Sequence, residues 1–176
     1  MNPMFSVSRF AWLALPVAAL AACASPTLIQ SRSLTSSTPE RMVAQVRAAA
    51  GADDRELAVQ PLRDPMAEDL REDAAKAERE KRYADAAKAL DKALEITPGD
   101  PATLQERAEI ALLMGNPEQA EALARRGFES GAKVGPLCRR HWATIEQARL
   151  VDGDAAGAQA AKTQLEACKV AGLDRF

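Results

Sequence analysis

Residues 83–98 read YADAAKALDKALEITP, from Tyr83 to Pro98. Ala86, Leu90, Ala93 and Leu94 fall on one helical stripe at i, i+4, i+7 and i+8. The landmarks return further along. Pro117 stands where Tyr83 stood and Ala120 where Ala86 stood, each 34 positions on. A looser copy sets Gly153, Asp154 and Ala158 in the places of Gly115, Asn116 and Ala120. Its spacing is 38, and the extra residues fall in the loop from Gly131 to Gly135. A period of this length that holds two helices is the mark of a stacked helical-hairpin array.

Turn chemistry repeats with the apolar positions. Asp64-Pro65 opens a helix that runs to about Lys81, and Asp100-Pro101 opens the third helix of the array. Asn116-Pro117 opens the fourth, with the spacing of a capping box between Asn116 and Gln119. Gly115 sits just past the helix before it, where a left-handed residue costs least. The fifth helix starts near Pro136 and ends near Val151; Asp154 caps the sixth, which runs to about Val170, before Gly172. The six helices pair as three antiparallel hairpins, at about 64–98, 100–134 and 136–172.

With these features the chain resembles a tetratricopeptide-repeat protein over roughly residues 64–172. The family pattern has a small residue near the start of each second helix, where the two helices cross closely, and Ala86, Ala120 and Ala158 match it. It has a large apolar residue one turn later; Leu90 fits, while Ala124 and Lys162 depart. Its closing proline is matched by Pro98 alone. The first helices match at Leu70 and Ala74, Leu104 and Ala108, and Trp142 and Ile145, with Trp142 read as core packing. Asp73 and Arg107 stand where leucine is usual. The resemblance implies an all-α fold, a short solenoid of three hairpins with an extra helix at its N-terminal side.

The same resemblance implies a groove that receives a peptide or a partner protein. Carried over residue by residue, its positions are Arg71, Ala75 and Glu78, then Gln105, Glu109 and Leu112, then Arg140, Ala143 and Gln147. Of these, Arg71, Gln105, Glu109, Arg140 and Gln147 are the polar candidates for partner contact. The lysine and asparagine with which other members hold a C-terminal carboxylate are missing, so no carboxylate clamp is implied.

Composition points the same way. The 176 residues allow one domain plus processing segments. Hydrophobic residues make up 47% but aromatics only 4%, so the core is alanine and leucine, which suits thin helical layers better than a large enzyme cavity. The net charge of −2 leaves no basic excess for nucleic acid. A single histidine and the lack of a glycine-rich phosphate loop argue against an enzyme and against any cofactor.

Residues 1–22 read as a signal peptide: Arg9, then the short apolar run Phe10–Leu20, too short to span a bilayer comfortably. Leu20-Ala21-Ala22-Cys23 resembles the lipobox of bacterial lipoproteins. That implies cleavage before Cys23, acylation of its thiol and its new amine, and stable anchoring by several chains. Ala24 follows, with no aspartate to hold the protein at the inner membrane, so the implied location is the periplasmic face of an outer membrane. Residues 23–38, rich in Ser and Thr, read as a flexible tether. Residues 39–63 read as a helix and an irregular connector. Thr38 caps the helix, Pro39 starts it, Met42, Val43, Val46 and Ala50 form its apolar face, and Gly51 stops it. Two placements are open for this helix: a cover for the exposed face of the first repeat, or a loosely attached arm. Leu57–Leu62, broken by Pro61, reads as extended or irregular.

Cys138 and Cys168 each lie 15 residues from Gly153, on opposite sides. In a hairpin turning at Gly153 they meet at its open end, and secretion places them where thiols oxidise. With Cys23 taken by lipid, the remaining pair is expected to form a disulfide. A rival places a metal on Cys138, His141 and Cys168, but no fourth ligand is evident. His141 otherwise reads as a satisfied surface or boundary histidine. The expected function is a non-catalytic, lipid-anchored scaffold that docks an envelope protein or peptide of an outer-membrane, pilus, secretion or cell-wall assembly. The alternative is a regulator of peptidoglycan metabolism. Oligomeric state is not fixed by the residues.

Overall fold

Every helix but the one that starts at Tyr83, which has no side-chain cap, begins where a polar side chain or a proline answers the unpaired first turn, and most end where the backbone can close on itself. The computed structural model describes residues 33–51 and 64–169. Among them are seven α-helices and no strand: α1 (Pro39–Ala49), α2 (Pro65–Arg79), α3 (Tyr83–Ile96), α4 (Pro101–Leu113), α5 (Pro117–Ser130), α6 (Pro136–Val151) and α7 (Ala155–Ala167). Thr38 accepts from the Arg41 N–H at 3.3 Å, Asp64 from Met66 at 2.9 Å, Asp100 from Thr103 at 2.7 Å and Asp154 from Gly157 at 2.8 Å. Asn116 makes no such bond, so the capping box read from Asn116 to Gln119 does not form.

The three turns inside the hairpins share one closure. Arg82, Asn116 and Asp154 donate their N–H to Ala77, Ala111 and Arg149 carbonyls at 2.8, 2.9 and 2.9 Å. The residue before each is left-handed: Lys81 at φ 58°, Gly115 at 74° and Gly153 at 79°. This bond pattern satisfies carbonyls that the helix end leaves free. Lys81 therefore occupies a glycine's place, and it stops α2 at Arg79 rather than near Lys81. α7 stops at Ala167, short of Val170, where the Cys168 carbonyl accepts the Gly135 N–H at 2.8 Å.

Helices α2–α3, α4–α5 and α6–α7 pair as hairpins, and α3 packs on α4 as α5 packs on α6. Ala86 and Ala120 are fully buried and Ala158 is nearly so, which lets the helix axes approach. One apolar cluster joins Val43, Val46, Leu90, Ile110 and Leu112 across α1, α3 and α4; another joins Ala108, Ala124, Ile145 and Ala161. Trp142 is only partly buried and meets Phe128 edge-on, with ring centroids 5.0 Å apart. Arg107, at a position where the family has leucine, is buried and bonds Asp91 of α3 at 2.8 Å.

The first helix takes neither of the placements left open by its residues. α1 lies along α6 and against α4, on the inner layer made by the first helices of the hairpins. It runs antiparallel to α6: the Leu34 N–H meets the Leu150 carbonyl at 2.8 Å, while Arg139 Nε donates to the Ala49 carbonyl at 3.0 Å. Met42, Val43 and Val46 are buried in that contact. The described end of the tether is thus held at Leu34. The signal segment 1–22, Cys23 and the stretch Leu57–Leu62 lie outside the described residues.

Candidate docking surface

The inner layer is built from α2, α4 and α6, and it divides into a covered half and an open half. Beneath α1 the covered half centres on Glu109, whose side chain has no solvent exposure. It accepts from Arg47 Nε of α1 at 2.8 Å, from Arg140 Nε of α6 at 3.0 Å and from Gln105 Nε2 at 2.9 Å. A buried carboxylate is tolerated only with such partners. Arg47 also reaches Glu78 of α2 at 2.9 Å. Burial opposes its charge, but hydrogen bonding to Glu78 and the charge of Glu109 prevail and raise its pKa.

Gln105 fixes the state of the histidine. Its Nε2 also donates to Thr144 Oγ1 at 2.8 Å, so its Oε1 is left to accept, and His141 Nδ1 lies 2.7 Å from it. Nδ1 therefore carries the proton, and His141 Nε2 is buried without a hydrogen-bond partner among the described residues. Burial, followed by the charges of Arg140 and Lys133, pushes the pKa of this imidazole down to about 3. His141 is completely buried, not the surface or boundary residue expected. A Cβ on Gly127 would stand 2.5 Å from His141 Cε1, so α5 approaches the ring because residue 127 has no side chain. Sealed from solvent, the ring cannot exchange protons with a substrate.

The open half is a cleft of about 180 Å³ between α2 and α4. Ala74, Leu90 and Ile110 make its floor; Glu68, Arg71, Glu72, Ala75, Glu78 and Glu106 surround it. The cleft exists because α2 presents alanine at 74 and 75, where larger side chains would fill the space. Arg71 Nε donates to Glu106 at 2.9 Å and Arg71 Nη1 to Glu68 at 2.6 Å. Burial works against the Arg71 charge, and Glu106 more than offsets it, so its pKa is raised.

The five polar groove candidates thus separate. Gln105, Glu109 and Arg140 are spent on the network under α1, Gln147 is 9% exposed, and Arg71 borders the open cleft. With α1 in place a partner has no access to Gln105 or Glu109. Arg47, the residue that ties the two halves together, was missed by the reading of the sequence. Its one signal was an arginine directly after Val46, inside the apolar stripe of the first helix. At the far end of the molecule Cys138 and Cys168 sulfurs lie 2.01 Å apart, with Cα atoms 5.7 Å apart. Both cysteines are buried, at the start of α6 and just past the end of α7.

Residues 77–137 match the family model of the tetratricopeptide repeat. Among solved structures, the globular C-terminal domain of LpoP from P. aeruginosa is similar, at 30% sequence identity and a TM-score of 0.57. The match covers 60% of this chain and 99% of that one. No curated protein matches the chain.

Proposed function

The chain belongs to the tetratricopeptide-repeat family, and from that premise we propose a non-catalytic docking protein of the bacterial envelope. In this reading residues 1–22 are removed, Cys23 carries the lipid, and residues 23–38 lead from an outer-membrane surface to the folded array. The sulfur pair of Cys138 and Cys168 is a disulfide that closes the last hairpin. The partner is a protein or peptide of an outer-membrane, pilus, secretion or cell-wall assembly. What carries the reading is the stacked array itself: its inner layer keeps an accessible apolar-floored cleft next to the face that α1 already occupies.

Charge reversal of Arg140 is a poor probe of docking, because its guanidinium supports buried Glu109. A photo-crosslinking residue placed at Glu72, on the cleft, and at Lys88, whose side chain is 76% exposed on α3, tests the reading in cells. One dominant envelope protein captured from a given position supports docking. A diffuse set of neighbours from both positions removes it. Replacing Cys23 with Ser is expected to release the chain from the membrane fraction, and unchanged membrane association would refute the anchor.

A second reading, a regulator of peptidoglycan metabolism, is favoured by the likeness to the LpoP domain, which this chain matches along almost its whole length. Purified cell-wall enzymes whose turnover changes on adding the chain would support this reading; turnover by the chain alone would overturn both.

A further inference from the structure

We infer that the open cleft between α2 and α4 takes a basic amphipathic helix of a partner protein, of the same chemistry as α1. The inference rests on the docking reading above. It has two grounds, the cleft's own composition and its continuity with the contact α1 already makes.

The cleft pairs an apolar floor with an acidic rim. Leu90, Ile110 and Ala74 at the bottom are 2–3% exposed, so the apolar surface left to a partner is small, with exposed Ala75 beside it, and the rim carries most of the recognition. Around them stand Glu68, Glu72, Glu78 and Glu106, with Arg71 the one cation among the described lining residues and Arg47 of α1 paired to Glu78 from outside the cleft. Arg71 is already bonded to Glu106 and Glu68, and Glu72 is exposed and has no ion-pair partner among the described residues. The field over the cleft is therefore negative, and a cation beside an apolar anchor complements it.

The neighbouring surface shows how such a segment sits. α1 presents Met42, Val43 and Val46 to the same layer and places Arg47 between Glu109 and Glu78. Glu78 belongs to both sites: it holds Arg47 on one side and lines the cleft on the other. A second helix with apolar residues at i and i+4 and an arginine or lysine beside them would continue this contact along α2. The charge preference is opposite to that of a repeat groove that captures a carboxylate.

The test uses the full chain in mild detergent and a labelled, end-blocked peptide copying residues 38–50, which carries Arg41 and Arg47. Saturable binding is expected, weakening as salt rises. It should be at least tenfold weaker for the R41E/R47E peptide and, with the original peptide, at least tenfold weaker for chain variants Glu72→Lys and Ala75→Trp. Both substituted positions are exposed, and unchanged thermal unfolding checks that the fold is kept. Four results would overturn the inference. These are no saturable binding, equal affinity for both peptides, binding indifferent to Glu72→Lys but strengthened by Arg139→Ala (displacement of α1), and self-association abolished by Glu72→Lys. A cellular partner whose crosslinks fall on α3, α5 and α7 would leave the docking function intact and remove the cleft from it.

Discussion

The two halves of the inner layer use the same ingredients to opposite effect. Under α1, Glu109 is sealed in and must be met from three directions, by Arg47, Arg140 and Gln105. In the cleft, Glu106 keeps 30% of its side chain exposed and shares Arg71 with Glu68. A glutamate on one face of α4 is thus a structural keystone or a rim charge, depending only on whether another helix covers it. Burial, not residue type, sets the energetic weight, because an exposed pair is screened and a buried one is not.

The largest effect expected lies where the start of α6 meets the end of α7. Reducing the Cys138–Cys168 pair, which spans 30 residues, should cost about 3–4 kcal/mol in urea unfolding. Intact-mass measurement with alkylation should find no free thiol at these positions before reductant, and two there would refute the disulfide. Next comes the direct contrast between the halves. Glu109→Ala should cost about 3 kcal/mol, since Arg47 and Arg140 lose their shared acceptor, whereas Glu106→Ala should cost under about 1 kcal/mol. Similar losses for the two would break the distinction drawn here.

The histidine supplies a pH signature that belongs to the covered half alone. Its folded pKa, about 3, lies below the ordinary 6.5. The unfolded chain therefore binds the proton first, so this contribution is full above pH 6.5 and is lost as pH falls toward 3. Between pH 7 and pH 5 the loss should be about 2 kcal/mol. Stability measured across that range in wild type and in His141→Gln should differ in slope; parallel curves would mean that the folded ring titrates as it does in the unfolded chain. A gain comparable in size to the Glu106→Ala loss is expected at the α2–α3 turn. Lys81→Gly relieves a left-handed lysine at the α2–α3 turn and should stabilise by about 1 kcal/mol, read as a rise in melting temperature.

Much of this was legible along the chain. The repeat, at spacings of 34 and then 38, placed the three hairpins and the crossing alanines, and the helix starts at Asp64, Asp100 and Asp154 were read directly, because each is a local requirement met by residue type. The period also reached the turns, although Lys81 hid it: counting back from Gly115 finds the left-handed position that composition conceals. His141 was misread because a lone histidine carries no sign of burial. Its environment comes from Gly127 and Gln105, on helices that only stacking brings near.

The sequence by itself determined the helices, their ends and their pairing, since capping, turn closure and close crossing act over a few residues or one repeat. Only the tertiary structure decided where α1 goes. The stripe of Met42, Val43 and Val46 fits any apolar surface, and apolar contact has no direction. The choice is made by polar partners far apart in sequence: Arg47 with Glu109 across 62 residues, and Arg139 with the Ala49 carbonyl across 90. Directional bonds between distant residues select one face among several that burial alone would accept, and that selection fixes which part of the inner layer stays open.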